Sequence, residues 1–182
     1  MAYKIISSDS YIVSDWTGGT TTELFIYPST GNFRSGDFQV RCSIATVNVD
    51  ESIFTSLKGV SRTLMVLKGN IELHHEGHHT SKLKPFEQDS FDGGWKTTSY
   101  GKVTDFNLMT KDINTSSLTY STDEKVEITG NNQLEFIHVL SGELSVENNC
   151  VAAGESIVFS GSENHHLIAT SSVEFVHVQI EN

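Results

Sequence analysis

One segment of this chain occurs twice, and this internal repeat constrains the fold more than any other feature. Residues 62–73 (RTLMVLKGNIEL) and residues 135–146 (EFIHVLSGELSV) each place a polar residue before an apolar strand, a glycine seven positions on, and a second strand. Identical residues occupy three equivalent positions: Val66 and Val139, Leu67 and Leu140, Gly69 and Gly142. A repeated supersecondary unit indicates a repeated half-fold, so we expect two similar small β-barrels.

Short strand patterns separated by turn residues run along the whole chain. Serine, threonine and valine, which suit strands and turns, are abundant, whereas alanine is scarce. A polar stretch with weak patterning, residues 111–117, is the best linker candidate. The pattern predicts an all-β fold with little helix, in which residues 1–115 and 116–182 form two jelly-roll barrels within one compact unit.

The charge of the chain excludes several classes of partner. There are 12 basic and 23 acidic side chains, which give a formal net charge of −11. Such a chain repels phosphate backbones, so we expect no binding to nucleic acid. It has no signal-peptide core and no run of transmembrane length, which predicts a cytoplasmic protein without membrane contact. Cys42 and Cys150 lie in strand patterns and are expected to be free thiols.

The second half of the sequence resembles a cupin barrel. Glu135 and Gly142 have the spacing of the first cupin motif, and Gly154 and His165 have the Gly-to-His spacing of the second. Other motif positions, among them the paired histidines of metal-binding cupins, hold different residues: Thr129, Asn131, Ser160, Ser162 and Ala169. The resemblance implies a cupin fold that lacks most of the metal ligands.

The first half resembles the HutD/Ves family of bicupin proteins. Matching segments follow the family's order over residues 14–110: 16–24, 41–45, Phe54, 59–64, 67–69, 85–86, 91–93, Gly101 and 105–109. The chain departs from the family at Val40, where tryptophan is usual, and at Lys111, in a region usually rich in arginine. The resemblance implies a bicupin linked to histidine catabolism, with an acylated glutamate intermediate as a candidate ligand.

Two arginines are the sharpest candidates for ligand binding. Arg41 shares the polar face of an alternating strand with Ser43, and Arg62 takes the place in the repeat that Glu135 has in the second half. In a cupin this position points into the barrel, where a guanidinium needs a partner. Each arginine could grip a ligand carboxylate or form an internal ion pair, for which Glu23 and Asp105 are the candidate partners.

Asp105 and Asn107 share one face of a strand because they alternate with apolar residues. They are predicted to line a polar cavity wall, with an exposed strand end as the alternative. Residues 15–23 are predicted as a glycine-bearing loop, which is either a lid over the barrel mouth or an ordinary loop capped by a buried Trp16. In the lid, which would run from Trp16 through Glu23, threonine hydroxyls such as that of Thr22 would donate to an anion.

Residues 74–79 (HHEGHH) contain four histidines and a glutamate. They could bind zinc or nickel. The Glu-Gly centre, however, predicts a hairpin tip, and alternation places His74 and His75 on opposite faces. Surface histidines are therefore the favoured interpretation, with incidental metal uptake during purification.

The second half offers fewer metal ligands than a catalytic site needs. Glu135 and His165 could supply two ligands, whereas a non-haem site usually has three protein ligands. His138 has the wrong parity to join Glu135 on a regular strand. No nucleophile signature is present, since Ser156 lacks the flanking glycines of a nucleophile elbow. We therefore expect no required cofactor.

The residues favour a binding protein over an enzyme. The first hypothesis is a binder of a small anionic metabolite that acts in amino-acid catabolism. The alternative is a metal-dependent oxygenase or isomerase built on the second barrel, and a third is an interaction protein with a filled barrel. Exposed strand edges favour a homodimer, because unpaired edges need covering.

Overall fold

The computed structural model describes residues 3–181 and confirms an all-β protein. It has nineteen strands in the described residues and a single 3₁₀ turn at Ser8–Ser10. Within that range no helix is long and apolar enough to span a bilayer. The strands, numbered in chain order, are β1 Tyr3–Ile6, β2 Ile12–Trp16, β3 Gly19–Tyr27, β4 Val40–Val47, β5 Glu51–Ile53, β6 Ser61–Gly69, β7 Ile71–His75, β8 Thr80–Leu83, β9 Gln88–Asp92, β10 Thr97–Tyr100, β11 Val103–Thr110, β12 Ser116–Ser121, β13 Lys125–Ile128, β14 Asn132–Ser141, β15 Glu143–Val146, β16 Asn149–Ala152, β17 Ser156–Phe159, β18 His165–Ala169 and β19 Glu174–Glu181.

The chain divides into two compact units. The first, which we call the central unit, spans Tyr11–Asp112, and the second, the terminal unit, combines residues 3–10 with residues 113–181. The boundary at 112 falls inside the stretch predicted as a linker. The sequence-based division placed residues 3–10 in the first barrel, but β1 pairs along its whole length with β17 of the terminal unit.

Strand order shows the repeat directly. The central unit has one sheet in the order β2-β3-β4-β11-β6-β9 and another in the order β5-β10-β7-β8. The terminal unit has sheets in the orders β1-β17-β14-β19-β12 and β13-β18-β15-β16. Strand for strand, β4-β11-β6-β9 corresponds to β12-β19-β14-β17, and the two four-stranded sheets correspond as well. Each unit therefore contains the same antiparallel arrangement, with one or two strands added at an edge.

The shared glycine of the repeat has the same task in both units. Gly69 joins β6 to β7 with a φ of 89°, and Gly142 joins β14 to β15 with a φ of 74°. A Cβ atom at these positions would lie 2.6 Å from the carbonyl oxygen of Lys102 and 2.3 Å from that of Ser172. Only glycine combines the left-handed backbone with such a close approach.

Each unit buries its core between its two sheets. In the central unit, apolar side chains of β6 and β11 pack against those of β7 and β8: Leu64, Val66, Val103, Ile71, Leu73 and Leu83. In the terminal unit, the corresponding cluster joins β14 and β19 to β15 and β18: Ile137, Val139, Phe175, Leu144, Val146 and Leu167. The side chains that share these inner faces are the ones that can form an internal site.

The prediction of a loop at residues 15–23 is wrong, because this segment forms the hairpin of β2 and β3. Trp16 pairs with Gly19 across the turn. A Cβ atom at Gly19 would lie 1.9 Å from the carbonyl oxygen of Thr46, so this glycine allows β4 to approach closely. The threonines that follow are β-branched and extend the strand. Gly19 thus marks close packing inside a sheet rather than a flexible loop.

Candidate functional site

Three neighbouring strands of the central unit bring polar side chains onto one face of the six-stranded sheet. Met109 on β11 pairs with Arg41 on β4 and with Arg62 on β6, so the two arginines flank it in one row. In the next row of this face, Asn107 pairs with Ser43. Because side chains two residues apart share a face, all of these residues lie on one surface, which we call the arginine cluster.

The arginine cluster faces the interior of the central unit. Leu64 and Val66 share a strand face with Arg62, and both belong to the core between the two sheets. Only 5% of Arg41 and 8% of Arg62 is exposed. Asp105, one row beyond Asn107, is 2% exposed. These side chains are therefore shielded from bulk water. Charges interact more strongly in such an interior than they do in water.

Arg41 is neutralised inside the protein. Its Nε donates to Glu23 Oε2 at 2.6 Å, and its Nη1 donates to Ser43 Oγ at 3.1 Å. The guanidinium carbon lies 4.0 Å from the centre of the Phe33 ring, and Nη1 also reaches the Met109 sulfur at 4.0 Å. Of the two roles open to this arginine, the structure shows the internal ion pair with Glu23.

Arg62 has a different environment. Its Nη2 donates to Asn107 Oδ1 at 2.9 Å, and Asn107 Nδ2 donates in turn to Asp105 Oδ1. The guanidinium carbon lies 4.7 Å from the centre of the Phe54 ring and 5.3 Å from that of Phe91. Its Nε is buried and has no hydrogen-bond partner within residues 3–181. A neutral amide therefore holds this cation, and one of its donors is unused.

Burial shifts the protonation equilibria of the cluster. It raises the pKa of Asp105 from 3.8 to about 7, against the opposing effects of the Arg62 charge and the Asn107 hydrogen bond. Burial also lowers the pKa of Arg62 to about 10, which the Asp105 charge partly offsets. At neutral pH Arg62 is still protonated, whereas Asp105 is close to half protonated. Proton uptake by Asp105 thus sets the net charge around Arg62.

Two residues predicted for the site lie elsewhere. Thr22 pairs with Ile44, so alternation directs it away from the face that carries Arg41. Trp16 lies at the tip of the β2–β3 hairpin, 39% exposed, where its Nε1 donates to Thr21 Oγ1 at 3.2 Å. The structure therefore joins Arg41, Ser43, Glu23, Arg62, Asn107 and Asp105, and leaves these two outside.

The histidine-rich segment forms a hairpin tip, as predicted, but it is not uniformly exposed. His74 is exposed and His75 is 3% exposed, which matches their expected opposite faces and corrects the prediction of surface histidines for His75. The backbone N–H of His75 donates to the carbonyl of His79 at 2.9 Å. The segment lines an open cavity of about 510 Å³.

Asp89 on β9 joins this segment, and sequence analysis missed it. Its Oδ2 lies 3.0 Å from His75 Nε2 and 3.0 Å from His79 Nε2. Burial alone would raise the pKa of Asp89, but hydrogen bonds from Ser81, His79 and His75 outweigh burial and lower it. We call His75, His79 and Asp89 the histidine–aspartate cluster. Nothing in the local sequence pairs Asp89 with the histidines, because they meet only after the two sheets pack.

In the terminal unit, Glu135 occupies the position that Arg62 has in the central unit. Its Oε2 lies 2.7 Å from His177 Nε2, and its Oε1 accepts from Asn132 at 2.9 Å. His177 on β19 corresponds to Asn107 on β11, so both units use the same pair of strand positions. Burial alone would raise the pKa of Glu135, but these hydrogen bonds outweigh it and lower the pKa.

Glu135 and His165 contact different polar partners. His165 Nδ1 lies 3.6 Å from Glu147 Oε1, and its Nε2 is buried without a partner in the described part of the chain. No group of three metal-ligating side chains within residues 3–181 includes either residue. His138 lies on the opposite strand face and bonds Ser156 at 2.9 Å, in agreement with its predicted parity, and burial lowers its pKa to about 4.

Comparison with known proteins places the chain in a family. The family model HutD matches residues 8–176. The structure of HutD from Pseudomonas fluorescens SBW25 is similar, with a TM-score of 0.80, 19% identity and 100% of both chains covered. The conserved protein of unknown function PA5104 from Pseudomonas aeruginosa PAO1 gives a TM-score of 0.84 at 20% identity, again over 100% of both chains.

More distant similarity extends to other cupin-like proteins. The bacterial pirin YhhW from Escherichia coli, solved in complex with nickel(II), gives a TM-score of 0.73 at 9% identity, with 98% of this chain and 99% of that chain covered. Among curated protein sequences none matches this chain. The family model spans nearly the whole sequence, and the two Pseudomonas structures share its complete fold. This chain therefore belongs to the HutD family.

Proposed function

We propose that this chain is a cytoplasmic binder of a small anionic metabolite of the acylated amino-acid type, and that it acts in amino-acid catabolism such as that of histidine. Arg62 is the residue that holds the ligand. One observation carries the proposal: its buried guanidinium is bonded to a neutral amide, and its Nε has no partner within residues 3–181. A ligand carboxylate would supply the missing acceptor and a direct counter-charge.

The two arginines have different roles, one in an internal ion pair and one in ligand binding. The charge of Arg41 is balanced by Glu23, so this pair supports the wall of the site. Arg62 has no direct ion pair, because Asn107 stands between it and Asp105, whose charge offsets its burial only in part; a buried charge without a direct partner is costly. A carboxylate that enters beside Arg62 removes this cost and therefore gains more than it would at an exposed arginine. Asn107 fixes the orientation of the guanidinium by accepting from its Nη2.

Asp105 makes the proposed binding depend on pH. Above its pKa of about 7 the carboxylate is ionised and competes with a ligand anion for the field of Arg62. Below this value Asp105 is neutral and the competition ends. Anion affinity should therefore rise as the pH falls from 8 to 6, provided that the ligand itself does not titrate in this range.

A thermal-shift and calorimetric screen tests the proposal. The probes are N-acylated glutamate, N-acylated aspartate and simple dicarboxylates, measured with untagged protein at pH 6 and pH 8. A ligand at one hundred times its Kd stabilises the folded state by about 2.7 kcal/mol, which is readily seen as a rise in Tm. We expect this rise for the parent protein and its loss in Arg62→Gln.

Arg34→Gln is the matched control, because Arg34 is exposed and the change in charge is the same. This variant should bind as the parent does. The proposal is contradicted if no small carboxylate changes the Tm, or if Arg62→Gln binds as tightly as Arg34→Gln.

The alternative of a metal-dependent enzyme in the second barrel has one supporting observation, the unpartnered buried Nε2 of His165. Both oxygens of Glu135, its expected co-ligand, already have hydrogen-bond partners. Elemental analysis of untagged protein separates the two functions. Stoichiometric iron or manganese that disappears in His165→Ala would favour the enzyme, whereas metal that survives this change would count against it.

A further inference from the structure

We propose that His75, His79 and Asp89 form a binding site for one divalent transition-metal ion of the zinc or nickel class. The site is distinct from the arginine cluster and independent of the proposed anion binding. Its three ligand atoms all lie within 4.8 Å of one another. Two imidazoles and one carboxylate form a donor set that suits such ions.

The distances fit a metal ion at the centre of the three side chains. Asp89 Oδ2 is 3.0 Å from the Nε2 atoms of both histidines. Bonds of about 2.0 Å in a tetrahedral site place the ligand atoms about 3.3 Å apart. Each of these two separations therefore needs to widen by only a few tenths of an ångström to reach the spacing of a tetrahedral site.

The hairpin and the neighbouring strand hold the ligands in place before any ion binds. The hydrogen bond between the His75 N–H and the His79 carbonyl sets these two residues opposite each other at the tip. His75 Nδ1 lies 2.8 Å from the buried Thr97 Oγ1. When Nδ1–H donates to this hydroxyl, the lone pair of Nε2 is directed at Asp89 and at the ion, the orienting arrangement usual behind metal-binding histidines.

The site is accessible from solvent. The side chain of His75 is fully buried, that of Asp89 is 12% exposed and that of His79 is 42% exposed. The histidines line the open cavity of about 510 Å³, so an ion can enter from this side. Three protein ligands leave at least one coordination position for water or a small ligand.

An ion at this position would also link the two sheets of the central unit. His75 belongs to the four-stranded sheet, whereas Asp89 lies on β9 at the edge of the six-stranded sheet. Because the ion binds only when these strands are in place, it should raise the Tm of the folded protein. Trp95 provides a local probe, since its ring centre is 5.7 Å from that of His75 and 5.8 Å from that of His79.

The test measures Zn²⁺ and Ni²⁺ binding to untagged protein by calorimetry, with the quenching of tryptophan fluorescence by Ni²⁺ as a second readout. We expect one ion per chain, quenching of Trp95 and a rise in Tm. His79→Gln should weaken binding at least tenfold, and Asp89→Asn should do the same because it removes the charge but keeps an oxygen. Circular dichroism of both variants checks that they are folded.

His74→Gln is the control, because His74 is exposed, lies in the same histidine-rich segment and bonds Glu72 rather than Asp89. It should bind the ion as the parent does. Equal losses in His74→Gln and His79→Gln would mean that the surface histidines chelate metal adventitiously, and would overturn the proposal. No binding of either ion, or binding that survives Asp89→Asn unchanged, would overturn it as well.

Discussion

The buried carboxylate of Asp105 should make the protein less stable as the pH rises, and Asp105→Asn should remove this dependence. The folded-state pKa of about 7 is above the ordinary value of 3.8. Between these two values the folded state holds a proton that the unfolded state has lost. Stability is therefore fully present below about pH 4 and declines until the pH passes about 7.

The magnitude follows from the size of the shift. Each unit of pKa difference corresponds to about 1.4 kcal/mol, so a difference of about three units gives about 4 kcal/mol between pH 4 and pH 7. The sequence pI is near 5.0, and low net charge there favours precipitation. In a working range of about pH 5.5 to 8, the advantage of Asp105→Asn over the parent should grow by about 2 kcal/mol.

Urea unfolding monitored by tryptophan fluorescence at several pH values measures this difference. All other titrating groups are common to the two proteins, so their contributions cancel when the variant is compared with the parent. Asp50→Asn is the control, because the Asp50 side chain is 92% exposed and its replacement should leave the pH profile unchanged. A stability difference between Asp105→Asn and the parent that is constant with pH, or shrinks as the pH rises, would refute the reasoning.

Three further predictions concern stability and assembly. Glu23→Gln leaves the buried Arg41 without its counter-charge and should lower the free energy of unfolding by about 3 kcal/mol in urea unfolding at pH 7; a loss below about 1 kcal/mol would contradict the buried pair. Gly142→Ala should lower the free energy of unfolding clearly more than Gly154→Ala does. Gly154 has a similar φ of 85° but open space around its Cβ position, so its replacement should cost only about 1 kcal/mol. Equal losses in the two variants would mean that contact with Ser172 is unimportant. Finally, β2 is an edge strand with an exposed Val13, so Val13→Lys should convert the expected homodimer into a monomer in light scattering, and a monomeric parent would dismiss this dimer.

The fold could be predicted from the repeat, because the same pattern of buried residues and turn glycines occurs in both halves. Val66 and Val139 are fully buried at equivalent positions, and Gly69 and Gly142 make the same turn. The hairpin of β2 and β3 was not predicted, because the two adjacent glycines were interpreted as marking a loop. Gly19 instead serves the close approach of a neighbouring strand, which only the assembled sheet reveals.

Strand alternation predicts which polar residues of the candidate site share a strand face, but not their partners on other strands. Alternation put Arg41 with Ser43 and Asp105 with Asn107, and the structure joins both pairs in one cluster. The choice of Glu23 as the partner of Arg41 was open in the sequence and is decided by register between β3 and β4. Asp89 could not be found, because its contact with the histidines depends on how two sheets meet and not on any local pattern.

The matching positions of Arg62 and Glu135 have a consequence for stoichiometry. Arg62 meets an oxygen of Asn107, whereas Glu135 meets a ring nitrogen of His177 at the corresponding strand positions. The same position of the repeated fold thus carries a positive side chain in the central unit and a negative one in the terminal unit. Under the proposed function, an anion that binds beside Arg62 would be repelled by Glu135 at the corresponding position of the terminal unit. The repeated scaffold would then carry one anion site and not two, and a titration with such an acid should saturate at a single equivalent.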